Sequence, residues 1–266
     1  MSETALSVQN LCVSLRGAGP ARDVVRELGF DLGRSEVLAL VGESGCGKTK
    51  TAQALMGLLP RDRWHTSADF VLLDGENVAT LTDAGMRRVR GRRMSMIFQE
   101  PMTALDPVFT VGSQLGAVFR RHFGVSTRQA HGSAGEMLER VGFGDPAHVL
   151  KSYPHQLSGG MRQRVMIAMA MACKPRVLIA DEPTTALDVT TQAQVLEQLI
   201  SLARAEETAI LLITHDLGVV AQYCDRALVM LDGAVVENAP VTELFARPRH
   251  DYTRRLLAFS APGSGS

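Results

Sequence analysis

Short runs of apolar and β-branched residues recur along the chain and are separated by longer segments with helical spacing. The runs that predict strands are 5–8, 37–41, 94–98, 177–180, 210–213 and 227–230. Residues 49–59 and 189–205 have the length and periodicity of helices and lie between such runs. Alternation of strand and helix is typical of an α/β sheet, so the pattern predicts this fold class.

The middle of the chain departs from this alternation. From about residue 101 to 154 it has few strand-like runs, is rich in helical spacing, and is punctuated by Gly, Pro and Ser. We therefore expect a helical subdomain inserted over residues 101–164. The α/β core would then consist of residues 1–100 and 165–266.

Composition excludes several classes of protein. With 45% apolar residues in 266, the chain can fill one large core or two modest ones. Its 28 Lys and Arg balance 28 Asp and Glu, so we expect no nucleic-acid partner. No apolar run approaches the ~18 residues that span a bilayer. The start lacks the pattern of an export signal, which favours the cytosol.

The four cysteines lie far apart, at Cys12, Cys46, Cys173 and Cys224, with no CxxC pair. Such spacing does not predict a zinc site, and in the cytosol these residues are expected to be free thiols. Cys46 lies beside Lys48 and a predicted helix start, an electropositive place. We expect its thiol to have a lowered pKa and to be reactive.

A glycine-rich segment follows the strand at 37–41 and fits the pattern GxxxxGK[ST]. Its glycines allow backbone N–H groups to surround a phosphate, and the helix that follows adds its positive dipole end. Lys48 would reach the terminal phosphates and Thr49 would bind Mg²⁺. A chance glycine turn is the alternative, but the flanking strand and helix argue against it. The predicted nucleotide-binding residues here are Gly42, Glu43, Ser44, Gly45, Cys46, Gly47, Lys48, Thr49 and Lys50.

Two acidic residues, Asp181 and Glu182, end the apolar strand at 177–180. In a phosphate-loop enzyme the first acid would hold Mg²⁺ and the second would accept a proton from the attacking water. The alternative is that the pair only caps the loop at Pro183. His215 ends another apolar strand, where it would contact the γ-phosphate, and Gln99 would complete the shell of Mg²⁺ and water. Taken alone, either of these two residues is as easily structural.

The segment Leu157, Ser158, Gly159, Gly160 is followed by a basic helix and closely resembles the signature of ABC ATPases. The order of motifs along the chain also resembles that family. The resemblance implies a phosphate-loop, RecA-like core with an antiparallel β edge and an inserted helical subdomain. It implies ATP and Mg²⁺ as cofactors, with Thr49, Gln99 and Asp181 on the metal. It also implies that Glu182, His215 and Gln99 are catalytic residues.

The family resemblance further implies a head-to-tail dimer with ATP between the phosphate loop of one subunit and the signature of the other. The partner-site residues would be Leu157, Ser158, Gly159, Gly160 and Gln163. Asp188 would lie at the dimer seam. Family members commonly stack an aromatic residue on adenine, but Leu15 stands at the matching position and offers only apolar contact.

Within the family, residues 97–111, 180–190 and 248–257 are similar to those of oligopeptide, dipeptide and nickel importers. This similarity implies ATP-driven import of peptides, nickel or metal-chelate solutes. The partners would be a second, related but different ATPase subunit, two membrane permeases and an extracytoplasmic substrate-binding protein. The chain would lie on the cytoplasmic face of the inner membrane.

Three features refine this comparison with importers. Asp251 stands where the importer group commonly has Pro, and the long cysteine-bearing tail of many peptide importers is missing, so we expect no iron–sulfur cluster. Apolar Met102, Leu105, Val108 and Phe109 predict a surface socket for a permease helix.

Two other functions remain as alternatives: a soluble ABC protein acting on DNA or the ribosome, and a phosphate-loop kinase or GTPase working alone.

Overall fold

The computed structural model describes residues 4–16, 22–99, 104–185 and 187–260. Contacts divide the chain into unit 1, residues 1–88 with 209–266, and unit 2, residues 89–208. The strands are β1 Thr4–Leu15, β2 Arg22–Gly33, β3 Val37–Val41, β4 Trp64–Ser67, β5 Phe70–Leu73, β6 Glu76–Asn77, β7 Met94–Ile97, β8 Val177–Asp181, β9 Ala209–Ile213, β10 Arg226–Leu231 and β11 Ala234–Pro240. The helices are α1 Lys48–Leu55, α2 Asp83–Val89, α3 Val111–Phe123, α4 Thr127–Arg140, α5 Pro146–Lys151, α6 Gly159–Met171, α7 Val189–Ala205, α8 Leu217–Tyr223, α9 Val241–Ala246 and α10 Asp251–Ser260.

Unit 1 contains an antiparallel sheet in the order β2-β1-β5-β6, with β4 paired to the other end of β1. Along β1 the buried positions include Leu6, Val8, Leu11 and Val13, and partly exposed residues lie between them. This one-sided burial is typical of an antiparallel sheet that covers a core with one face. The sheet is the antiparallel β edge that the sequence predicts.

The remaining strands of unit 1 run in the order β11-β10-β3-β9. The three strands β10, β3 and β9 are parallel, and every residue of β3 and β9 is buried. Continuous apolar strands of this kind are covered on both faces. Because the strands are parallel, the carboxyl ends of β3 and β9 lie at the same edge, where ligands of α/β proteins usually bind.

Unit 2 combines the parallel pair β7 and β8 with helices α3 to α7. Local capping sets the helix starts: Thr110 caps α3, Ser126 begins a capping box on α4, and Asp145 precedes Pro146 at the start of α5. The expected helical insert, 101–164, lies within this unit. The unit also includes β7, β8 and α7, so its contacts divide the chain at points other than the predicted ones.

Sequence and structure agree closely on the bounds of two elements. Strand β3 and helix α7 have the bounds that the sequence predicts, whereas α1 begins one residue earlier and ends at Leu55. Among the described residues, none of the helices is long and apolar enough to cross a bilayer.

Candidate functional site

The loop between β3 and α1 is a tight turn that depends on glycine. Gly42, Gly45 and Gly47 have φ values of 155°, 84° and 114°, where side chains are strongly disfavoured. A Cβ on Gly42 would lie 2.2 Å from the carbonyl oxygen of Met230, and one on Gly47 would lie 2.6 Å from that of Val24. The loop is therefore packed against neighbouring backbone, with no space for side chains at these two positions.

The Lys48 side chain folds back along this loop. Its ammonium donates hydrogen bonds to the carbonyl oxygens of Gly42, at 2.7 Å, and Glu43, at 2.9 Å. Lys48 is buried, whereas Glu43, Ser44 and Gly45 are exposed. Exposed loop backbone, a helix start and a neighbouring ammonium are the donors that a phosphate group requires. The residues present thus fit a nucleotide phosphate.

His215 lies at the same edge of unit 1. It directly follows Thr214, whose N–H donates to the carbonyl of Leu40 on β3, and its side chain is exposed. The next residue, Asp216, caps α8 by accepting hydrogen bonds from two of the first backbone N–H groups. The structure therefore brings His215 to the edge from which the phosphate loop emerges, as the sequence predicts.

In unit 2 the acidic pair ends strand β8. Asp181 is buried, and Glu182 follows with a φ of 46°, an unfavourable backbone conformation for a residue with a side chain. The Glu182 carboxylate accepts hydrogen bonds from Gln99 Nε2, at 3.0 Å, and from Thr185 Oγ1, at 2.9 Å. Residues in such strained conformations cluster at functional sites. The structure thus joins Gln99 to Glu182, two residues that the sequence places 83 positions apart.

The signature segment forms the start of helix α6. Ser158 is its N-cap and accepts a hydrogen bond from the N–H of Met161. A Cβ on Gly160 would lie 2.6 Å from the side chain of Thr191, so α6 approaches the start of α7 closely at this glycine. A helix start with a serine cap and two glycines presents backbone N–H groups with little side-chain cover.

A family model described as "ABC transporter" matches residues 25–185 of the chain, which is more than half of it. The chain therefore belongs to the ABC transporter family. Members of this family bind and hydrolyse ATP, and this chain is an ATPase.

Curated relatives cover nearly the whole chain. "Dipeptide transport ATP-binding protein DppD" of Bacillus subtilis is 50% identical over 255 residues, which is 96% of this chain and 76% of the relative. "Probable peptide ABC transporter ATP-binding protein y4tR" of Sinorhizobium fredii is 48% identical over 96% of this chain and 76% of its own. "Glutathione import ATP-binding protein GsiA" of Salmonella typhimurium is 49% identical over 97% of this chain and 42% of its own.

Solved structures show the same fold. A structure of cbiO1 from Clostridium perfringens, described as part of the ABC transporter complex cbiONQ, has a TM-score of 0.76 at 25% identity, covering 98% of this chain and 97% of that chain. A dimeric structure of the ATP-binding cassette MJ0796 has a TM-score of 0.77 at 22% identity, covering 89% and 98%. The α/β fold predicted from the sequence is thus confirmed.

Two predicted roles in this ABC ATPase need correction. Gln163, expected at the partner's nucleotide, is only 1% exposed, because it lies on the inner face of α6 within unit 2. Leu105, expected at a permease socket, is 2% exposed and belongs to the core. Val108 and Phe109 are 70% and 52% exposed, and Met102 lies outside the described residues. Of the three predicted socket residues that the structure describes, Val108 and Phe109 are therefore exposed and Leu105 is not.

Asp188 lies on the surface of unit 2, at the N-cap of α7. Its carboxylate accepts a hydrogen bond from the N–H of Thr191 at 3.0 Å, and this bond lowers the pKa of the carboxyl group. The next residue, Val189, is among the most exposed large apolar side chains described.

Trp64 is a residue that sequence reasoning missed. It lies directly across the β1–β4 pair from Leu15, and both side chains are half-buried. The ammonium of Lys50 lies 4.8 Å from the centre of the Trp64 ring, a cation–π arrangement. An aromatic ring therefore lies beside Leu15, although it comes from a four-residue strand that the sequence pattern does not reveal.

The expectation of a reactive Cys46 is wrong. Burial raises the pKa of its thiol, and the opposing effect of the Lys48 ammonium 3.8 Å from Sγ is the smaller of the two. Burial also raises the pKa of Cys173 to about 11 and that of Cys224 to about 12. Electropositive surroundings thus do not activate Cys46, because its sulfur is held away from water.

We expect maleimide at pH 7.5 to modify Cys46 at least about tenfold more slowly than Cys12, because a raised pKa leaves less of the reactive thiolate. The rate at Cys46 should continue to rise as the pH is increased to 9. Peptide mapping by mass spectrometry over time measures each site separately, and Cys12 serves as the internal control. Equal rates for Cys46 and Cys12 at pH 7.5 would contradict the raised pKa.

Proposed function

We propose that this chain is the ATP-binding subunit of an importer of short peptides. The observation that carries this proposal is the 50% identity to a dipeptide transport ATP-binding protein over 96% of this chain. Relatives named for peptide and glutathione transport support the same class of cargo. Nickel, which the sequence left open, has no counterpart among the relatives named above, so we favour a peptide.

In our proposal the phosphate loop binds the triphosphate of ATP. The exposed loop backbone and the start of α1 donate hydrogen bonds, and the Lys48 ammonium exchanges its carbonyl partners for phosphate oxygens. Leu15 and Trp64 provide apolar and aromatic surface for the base. Most of the binding free energy comes from the phosphates, since they carry the charge that these donors complement.

No group of three or more His, Cys, Asp or Glu residues in the described ranges is arranged to hold a metal ion. Mg²⁺ prefers oxygen ligands and is usually held by one or two carboxylates together with phosphate and water. We propose Thr49, Asp181 and Gln99 as the residues that hold it. When bound, Mg²⁺ neutralises charge that develops on the transferred phosphoryl group.

We assign the base to Glu182, whose carboxylate accepts a proton from the attacking water. Gln99 and Thr185 donate to this carboxylate and so fix its direction. His215 donates a hydrogen bond to the γ-phosphate and orients it. Gln99, Glu182 and His215 each follow the end of a different strand, β7, β8 and β9.

The signature at the start of α6 carries no side chain to which we assign a step of ATP hydrolysis. We therefore propose that it contributes to the nucleotide site of a second subunit. Ser158, Gly159 and Gly160 would bind the γ-phosphate held by the partner's phosphate loop. Asp188 and Val189 would lie at the seam of this dimer. Loss of the γ-phosphate on hydrolysis would then weaken the contact and open the pair.

The exposed pair Val108 and Phe109 supports a further partner, a permease helix that packs on this apolar surface. We propose two permeases and an extracytoplasmic binding protein that delivers the peptide. The second ATPase subunit would be a related but different chain. The assembly would place this chain on the cytoplasmic face of the membrane.

Glu182→Gln should bind ATP and hydrolyse it at least about 10²-fold more slowly, since a positioned base contributes 10²- to 10⁴-fold. Glu207→Gln is the matched control, because Glu207 is an exposed acid that also has a positive φ. Steady-state phosphate release and nucleotide titration on both variants make the test. If Glu182→Gln hydrolyses ATP at the wild-type rate, Glu182 is not the base.

The cargo is tested by reconstituting the ATPase with its two permeases and binding protein in lipid vesicles. We expect ATP hydrolysis to rise several-fold when the binding protein carries a dipeptide or tripeptide, and to stay basal with Ni²⁺ or with an empty binding protein. Stimulation by Ni²⁺ alone would replace the peptide proposal with a metal importer. Equal stimulation without the permeases would refute their role as partners.

A further inference from the structure

The side chain of Tyr252, on helix α10, contacts the phosphate loop. The hydroxyl of Tyr252 accepts a hydrogen bond from the backbone N–H of Glu43 at 3.0 Å. Tyr252 is only 4% exposed, whereas Glu43 is exposed, and the Glu43 carboxylate also interacts with the Tyr252 hydroxyl. The loop is thus held at its backbone from the interior of unit 1.

This hydrogen bond is one of two that hold the same peptide group, one from each side. The peptide group that joins Gly42 to Glu43 offers the carbonyl of Gly42 and the N–H of Glu43, which point in opposite directions because the group is planar and trans. Lys48 Nζ donates to that carbonyl at 2.7 Å, and Tyr252 accepts from that N–H. The orientation of this peptide group therefore links Tyr252 directly to the position of Lys48.

Helix α10 is itself firmly anchored. The buried carboxylate of Glu237 on β11 accepts hydrogen bonds from the N–H groups of Arg249, at 2.8 Å, and His250, at 3.0 Å, immediately before the helix. Burial opposes ionisation of Glu237, but the hydrogen bonds that it accepts, together with the charge of Arg249, outweigh burial and lower the pKa of the carboxyl group. A charged carboxylate at a helix start is stabilising, so the first turn of α10 is fixed in place.

The Tyr252 ring also packs into the core of unit 1. It belongs to a buried cluster whose other members include Leu217 and Val220 of α8, Ala239 of β11 and Leu244 of α9. Burial raises the pKa of the Tyr252 phenol, so the ring stays neutral at physiological pH. The hydroxyl is thus carried by a rigid support, which is the condition for a side chain that positions a functional group.

We propose that Tyr252 is a positioning residue of the nucleotide site, which orients the Gly42–Glu43 peptide group and through it Lys48. The helix near the end of the described chain thereby sets the affinity of the phosphate loop for ATP. The inference rests on the proposed role of this loop in binding the triphosphate. In this proposal Tyr252 contacts neither the substrate nor the reacting atoms. It acts by fixing the conformation of the phosphate loop before ATP binds.

The test is Tyr252→Phe, which keeps the ring and its packing but removes the acceptor for the Glu43 N–H. We expect the Kd and KM for ATP to rise about tenfold, because a partly buried N–H loses its partner and the loop loses its order. The kcat should change less than about twofold, since bound triphosphate restores the loop conformation. The Tm without nucleotide should fall by no more than a few degrees.

Thr253→Val is the matched control, because Thr253 is equally buried on the same helix and its substitution keeps the shape. It should leave the Kd for ATP unchanged, whatever its effect on the Tm. Wild-type affinity in Tyr252→Phe would overturn the proposal. The proposal would also be overturned if both variants weakened ATP binding equally and in proportion to their loss of Tm. Tyr252 would then only anchor the helix. If the wild-type chain itself bound no ATP, the proposed function of the loop would fail first.

Discussion

The hydrogen bonds of the Lys48 ammonium to the carbonyls of Gly42 and Glu43 are the interaction around which unit 1 is arranged. They require a loop that turns sharply between β3 and α1, and the turn requires glycine at Gly42 and Gly47, where neighbouring backbone leaves no room for a Cβ. That backbone comes from Met230 on the parallel strand β10 and from Val24 on the antiparallel strand β2. Strand order, glycine positions and lysine direction thus depend on one another.

Unit 2 follows a similar rule with different residues. Glu182 is held in a strained backbone conformation, and Gln99 and Thr185 fix its carboxylate. Strain of this kind persists only where surrounding structure determines it. In both units a reactive group is placed by hydrogen bonds to a tight turn at the end of a buried strand. One turn carries a positive charge, that of Lys48, and the other a negative charge, that of Glu182.

Much of this was predictable because local sequence determines it. The phosphate loop has a fixed pattern, β3 is wholly buried and α7 has a regular apolar face, so residue type and spacing were sufficient. The antiparallel strands β2, β4, β5, β6 and β11 were harder, because one-sided burial and short length leave little periodic signal. Trp64 could not be singled out for a related reason, because only the fold brings it beside Leu15.

The errors share a physical cause, which is burial that a linear sequence does not show. Cys46 lies among groups that lower a thiol pKa, yet loss of water around the sulfur has the larger effect. Leu105 and Gln163 lie in motifs that suggest a surface, yet both face the core. Tyr252 shows the converse, since nothing in its local sequence indicates contact with a loop 209 residues earlier. The type of each element could largely be predicted from the sequence, whereas the direction of these side chains could be seen only in the structure.

The central claim is that Lys48 binds the phosphates of ATP from its place on this loop. Calorimetric titration of MgATP into Lys48→Met tests this most directly. Lys151→Met is the control, since Lys151 is an exposed lysine of the other unit. We expect Lys48→Met to weaken binding by at least about tenfold, as for a lost hydrogen bond to a charged group, and Lys151→Met to bind as the wild type does. Wild-type affinity in a folded Lys48→Met variant would contradict the account.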